Sequence, residues 1–245
     1  MKPKFFDLST KNIALTIVFA SFYTVFFFWN LFPLVGGQGR FIQVGTLIAP
    51  LIGIVIGPML SVFGITIGGA IGAFISQSGP FGPLSFVPHL AAALCAGLLY
   101  NNKRWYCSFT YLLLLLALAF YPVVGPAWLW PPFLWLHIIV LVFLFSPLQP
   151  KIGKYMLENK SASKFVFAVA STLFVATLFS HVVGSLMYEA IYWPTFISEM
   201  EIWRANWQLL SWIYPVERLV IAVVSTPLAV GLLKALRIHG FRVDS

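Results

Sequence analysis

Ionisable and hydrogen-bonding side chains are scarce inside the apolar stretches of this chain, so the few found there are where chemistry would be done. His181 lies in one such stretch, with Thr177 one turn before it and Ser185, Tyr188 and Glu189 one to two turns after. At helical spacing these residues share roughly one face. An intramembrane ionisable group is costly and points to function. A histidine hydrogen-bonded within its own bundle would instead be structural, and the spacing admits both readings. His89 follows Pro88 at the start of another apolar stretch, and His137 sits in a third with no assigned role.

The segment Tyr214-Pro215-Val216-Glu217-Arg218 opens the last apolar stretch. Pro at the first helical position and an acid near it are good helix starters. That accounts for Pro215 and Glu217 but not for Arg218, which can pair with Glu217, with Glu189 or with a ligand carboxylate. Arg40, in the glycine-rich run GGQGR, is a second arginine at a membrane boundary. A guanidinium suits carboxylate or phosphate recognition, and snorkelling to lipid headgroups is the competing reading.

Enzyme signatures are missing. The chain has no HExxH, GxSxG, CxxC or paired acidic motif, and no phosphate-binding motif for ATP. No acid lies deep in an apolar stretch: Asp7, Glu158 and Asp244 fall on one side, Glu189, Glu199, Glu201 and Glu217 near the other. Buried acids or metal ligands would be expected of a membrane hydrolase, and a midplane carboxylate of a proton-coupled carrier. The expectation is a non-enzyme with no catalytic residue, no metal and no cofactor. Cys95 and Cys107 lack metal-type spacing, and nothing in the sequence supports a disulfide.

The elements that must position these groups follow from composition. The 245 residues are 60% hydrophobic and 9% charged, against about 25% charged in an ordinary soluble domain. That composition predicts an all-α, polytopic membrane bundle of about six to eight spans. Apolar stretches run at about 13–34, 43–56, 58–77, 86–100, 106–122, 131–147, 164–188 and 216–236. The first is too long for a signal-peptide core and reads as a retained helix.

Twelve Lys and Arg residues fall on one side of these spans, and only Arg40, Arg204 and Arg218 on the other. This positive-inside bias predicts a cell-membrane protein with both termini cytoplasmic. It also explains the net charge of +8 without nucleic acid as a partner. Eight of nine Trp lie near the outer face, which suits an interfacial belt, with some free to line a pocket. Between Tyr192 and Tyr214, Phe196, Met200, Trp203, Trp207, Leu210 and Tyr214 recur at three- and four-residue spacing. This predicts an amphipathic outer helix at about 195–213 that lies on the membrane surface, either as a packing element or as a lid.

Gly64, Gly68 and Gly72 form a small-residue stripe, as do Gly53 and Gly57. Such stripes let helices approach closely in lipid, either within the chain or at a docking groove for another subunit.

The ordered run GGQGRFIQVGTLIAPLIGIVIGPMLSVFGITIGGAIGAFIS, then GPFGPLSFVPHLAAALCAGLLYNNKR, resembles the substrate-binding S components of energy-coupling factor (ECF) transporters. HVVGSLMYEAI and YPVERLVIAVVSTPLAVGLLKAL are similar to that family's last two helices. The likeness spans about 10–104 and 164–238 of a single membrane domain, and no single motif is diagnostic. It implies a membrane-embedded subunit that binds a vitamin or similar micronutrient for uptake. Its implied partners are the small-molecule substrate, a transmembrane coupling subunit and cytoplasmic ATPases, with lipid around it.

The regions that hold substrate in the family carry, in this chain, Arg40, Gln43, Gln77, His89, His181, Tyr188, Glu189, Glu217 and Arg218. The face that docks the coupling subunit would carry Thr16, Ala20 and Thr24, with the Gly64, Gly68 and Gly72 stripe as a further docking candidate. Two features depart from the family. A hairpin at 106–147, rich in Trp and Pro, is extra to the usual six helices, and Thr16xxxAla20xxxThr24 replaces an alanine pair. A non-catalytic accessory subunit of a membrane complex is the alternative reading.

Overall fold

The computed structural model describes residues 9–36, 39–75, 79–158 and 161–238, without the side chains of 237 and 238. Among these residues the helices are α1 (Thr10–Phe27), α2 (Gly45–Ile56), α3 (Pro58–Ile75), α4 (Val87–Tyr100), α5 (Arg104–Ala119), α6 (Pro126–Leu129), α7 (Trp135–Phe145), α8 (Leu148–Glu158), α9 (Ala162–Thr195) and α10 (Met200–Ile238). An antiparallel ribbon, β1 (Asn30–Pro33) with β2 (Phe41–Gln43), joins α1 to α2.

The chain is a multi-pass membrane protein built as a helical bundle. Five helices are long and apolar enough to cross a bilayer, and a pair bent by 72°, Pro131–Phe145 with Leu148–Glu158, makes a sixth candidate. The apolar helices Gly45–Ile56 and Arg104–Ala119 are shorter than the roughly 20 residues a straight span needs. Each of the eight apolar stretches read from the sequence overlaps one of these helices. Large apolar side chains point away from the bundle on α1, α3, α5, α7 and α10, as a lipid-facing surface requires.

The first helix ends at Phe27 rather than near 34. Pro33 disfavours helical geometry at Phe32, and the segment instead pairs with β2. The stretch 148–158, between two of the apolar stretches read from the sequence, is the helix α8.

The larger correction concerns the expected outer helix at 195–213. It is the first third of α10, which continues through Pro215 as one helix of 39 residues. Pro215 therefore lies inside the helix rather than at its first turn. It supplies no N–H for the carbonyl four residues back, and that carbonyl, Ser211 O, accepts instead from Trp135 Nε1 at 3.4 Å. The apolar face of this part is buried within the protein rather than laid on the membrane, with Trp203, Trp207 and Tyr214 fully buried. At 1.5 Å per residue α10 is about 58 Å long, well beyond a hydrocarbon core of about 30 Å.

The segment 106–147 packs as part of one core. Leu115, Leu118, Phe133, Val140 and Leu144 share a buried cluster with residues of α4, α9 and α10. Its backbone also receives Trp207 Nε1 at Val124 O (2.8 Å) and the Tyr214 hydroxyl at Phe133 O (2.9 Å). Across the α4–α5 turn, Cys95 Sγ and Cys107 Sγ lie 2.9 Å apart and buried, a proximity that their sequence spacing gave no reason to expect.

The Gly64, Gly68 and Gly72 stripe of α3 meets the Thr16, Ala20 and Thr24 face of α1. A side chain at Gly64 would face Thr16, one at Gly68 would collide with Ala20 and Thr24, and one at Gly72 would strike Phe27. Thr24 Oγ1 donates to Gly68 O at 3.1 Å. Thr16, Ala20 and Thr24 are thus occupied by Gly64, Gly68 and Gly72 inside the chain, and the expectation that they form an open docking face is corrected. Close backbone approach, which glycine alone permits here, is what the stripe achieves.

Candidate functional site

One cavity gathers most of the polar groups singled out above. Its walls come from the ribbon and its loop (Leu34, Val35, Ile42, Gln43), from α2 (Thr46), from the 80–89 segment, from α9 and from α10 (Trp207, Leu210, Glu217, Arg218). Its cavity volume is about 70 Å³. Bound small molecules usually occupy cavities of about 300–1,000 Å³. The interior is therefore tight, and anything larger than a few waters needs the loops or side chains to give way.

Two hydrogen bonds hold the 79–80 backbone beside it. Arg40 Nη1 reaches Gly79 O at 3.5 Å, and the Tyr192 hydroxyl donates to Pro80 O at 3.0 Å. The 80–85 turn is held by Ser85, whose Oγ accepts from Phe81 N–H (2.9 Å) and donates to Gly82 O (2.8 Å). Pro88 in the first turn of α4 suits a helix start and places His89 at the cavity wall.

Gln43, His89, His181, Tyr188, Glu217 and Arg218 all line this cavity. Arg40 ties the two mouth loops together but does not line it, and Gln77 lies outside the described residues. Glu189 is also not in the lining. Successive helical residues point about 100° apart, so Tyr188 faces the cavity while Glu189 turns away. Glu189 is fully buried, and neither carboxyl oxygen has a hydrogen-bond partner among the described residues.

The lining groups differ in what they have left to offer. His89 is engaged at both ring nitrogens, with the Tyr23 hydroxyl at Nδ1 and Thr46 Oγ1 at Nε2 (2.8 Å). It braces α1, α2 and α4 and has no nitrogen to spare for a ligand, which corrects its expected role as a direct contact. Gln43 Nε2 donates to Phe27 O at 2.7 Å, capping the end of α1. Its Oε1 is buried and lacks a partner among the described residues.

Arg218 is buried and pairs with Glu217 through Nη2–Oε2 at 3.3 Å. Its Nε likewise has no partner among the described residues. The remaining wall is largely apolar and aromatic, including Phe81, Tyr188 and Trp207. An unpaired acceptor and an unpaired donor, each costly when buried, thus belong to residues that line one apolar chamber.

Several contributors were not legible as site residues. Tyr23 and Thr46 hold His89, Phe81 and Trp207 supply wall, and His137 contacts His181 with Nε2–Nδ1 at 3.2 Å. Tyr23, Thr46 and His137 carried a signal in the sequence as polar groups within apolar stretches, and Trp207 as one of the outer tryptophans free to line a pocket. Among the described residues no cluster of three or more His, Cys, Asp or Glu could hold a metal ion. Comparison with protein-family models, with curated proteins and with solved structures finds no match to this chain.

Proposed function

We propose that this chain is a membrane-embedded binding subunit that captures a small molecule for uptake, in the manner of the ECF S components it resembles. The ligand would be a vitamin or similar micronutrient, and partner ATPases with a coupling subunit would drive its release inward. The observation that carries the reading is the chamber itself. It is mostly apolar and aromatic, and lined by two residues with unsatisfied polar atoms, Gln43 Oε1 and Arg218 Nε. Such a chamber supplies binding energy from its walls and orientation from a few polar groups. The charge asymmetry supports a cell-membrane location with cytoplasmic termini and the cavity towards the outside.

The pairing of Arg218 with Glu217 supports a ligand that need not be anionic. The internal use of the small-residue stripes leaves another surface to contact a coupling subunit.

The test is mass spectrometry of the small molecule retained through gentle detergent purification, in wild type, Arg218→Gln and Gly184→Leu. Gly184 lines the cavity and has ordinary space around it, so leucine there fills the chamber. Each variant is expected to retain at least about tenfold less ligand, the equivalent of one hydrogen bond to a charged group. A wild-type protein that carries no small molecule, or variants that retain it fully, overturns the reading. Stable recovery in an unrelated complex would favour the accessory role.

A further inference from the structure

The cavity histidine is held from behind by the 106–147 segment. The Tyr111 hydroxyl on α5 lies 2.8 Å from His137 Nδ1 on α7, and His137 Nε2 lies 3.2 Å from His181 Nδ1 on α9. The two imidazoles are nearly parallel at 11°, with centroids 5.3 Å apart. The Tyr214 ring stacks on both, at 5.1 Å from His137 and 4.6 Å from His181. Tyr214 is itself anchored by its hydroxyl to Phe133 O. Neither ring can turn without breaking this stack.

Proton accounting then sets the direction of the chain. A neutral imidazole carries one N–H and one bare nitrogen. Tyr111 is fully buried, and its hydroxyl makes no hydrogen bond among the described residues other than that with His137 Nδ1. A buried hydroxyl proton without an acceptor is costly, so Tyr111 donates and His137 Nδ1 is bare. His137 Nε2 then carries the proton and donates to His181 Nδ1. His181 must in turn carry its own proton on Nε2, the nitrogen without a partner among the described residues, on a residue that lines the cavity. The opposite direction would strand the Tyr111 proton.

We propose that Tyr111 and His137 are positioning residues that lock His181 in its Nε2–H form. The chamber then presents a fixed N–H donor at His181, on a wall that it shares with Arg218 and Gln43. Its ligand carries a hydrogen-bond acceptor, such as a carbonyl or a ring nitrogen, where it meets His181. The proposal rests on the reading of the cavity as a ligand site, but the tautomer itself can be measured without any ligand.

The experiment is long-range ¹⁵N–¹H correlation NMR of the ¹⁵N-histidine-labelled, detergent-solubilised full chain. His181 signals are assigned by their loss in His181→Gln. Wild-type His181 is expected to show a protonated Nε2 and a bare Nδ1. In Tyr111→Phe the Nε2–H to Nδ1–H ratio is expected to fall about fivefold, the worth of one buried hydrogen bond. A wild-type His181 protonated at Nδ1 or at both nitrogens overturns the relay, even if Tyr111→Phe fails to fold. So does an unchanged ratio in a folded Tyr111→Phe. Retained ligand with the wrong tautomer sinks the relay alone, whereas the expected tautomer in a protein that retains no ligand supports the relay and sinks the transport reading.

Discussion

The pair Glu217–Arg218 offers the sharpest test of how the cavity wall is held. Arg218 has a side-chain exposure of 4% and Glu217 of 13%, and they meet at 3.3 Å through a single oxygen. Two unit charges at that distance attract by about 5 kcal/mol at an effective dielectric constant of about 20. Breaking a buried pair by neutralising one partner typically costs about 3–5 kcal/mol, because the other charge is left uncompensated. The contact is not bidentate and Arg218 Nε is unpaired, so the lower end, about 3 kcal/mol, is expected for Glu217→Gln.

The double variant Glu217→Gln with Arg218→Met removes both charges and keeps the volume. It should return to within about 1 kcal/mol of wild type, since removing both charges leaves neither of them buried and uncompensated. The assay is reversible unfolding of the detergent-solubilised protein by added sodium dodecyl sulfate, read by Trp fluorescence across the four-member cycle. A cost below about 1 kcal/mol for Glu217→Gln, or a double variant as unstable as the single, would refute the argument that Arg218 is buried and depends on Glu217.

Two further outcomes test the packing on which the site depends. A Cβ at Gly97 would lie 2.7 Å from Pro58 N and 2.8 Å from Gly53 O, both backbone atoms. Gly97→Ala is expected to destabilise by about 1–3 kcal/mol in thermal unfolding, whereas Gly153→Ala on α8, with nothing within 4 Å, should be neutral or mildly stabilising; equal effects would contradict the α2–α4 packing. Treatment with iodine in detergent should link Cys95 to Cys107 as an intramolecular disulfide detectable by peptide mass mapping, given the 2.9 Å between their sulfurs. Recovery of two freely alkylated thiols would refute the α4–α5 register.

What the sequence determined by itself rests on local arithmetic. Runs of apolar residues long enough for a bilayer, and lysines massed on one side of them, establish a multi-pass helical protein without reference to any contact. The clustering of Gln43, Tyr188, Glu217 and Arg218 in one cavity was also within reach, because each sits near the same end of its span and depth is a one-dimensional property, whereas His181 lies further inside its helix and joined them through the family resemblance. Helical periodicity states which residues share a face, but not which face another helix will meet.

That choice belongs to the tertiary structure. It turned the Gly64–Gly72 stripe onto Thr16, Ala20 and Thr24 instead of a partner, and consumed both nitrogens of His89 in bracing its neighbours. It also ran α10 straight through Pro215, because Trp135, 76 positions away from Ser211, was there to satisfy the freed carbonyl. His137 had no role on one helix and gains one only where α5, α7 and α9 converge behind His181. These outcomes depend on pairs of atoms brought together from distant parts of the chain, and a buried polar atom is satisfied or orphaned only after those parts have met.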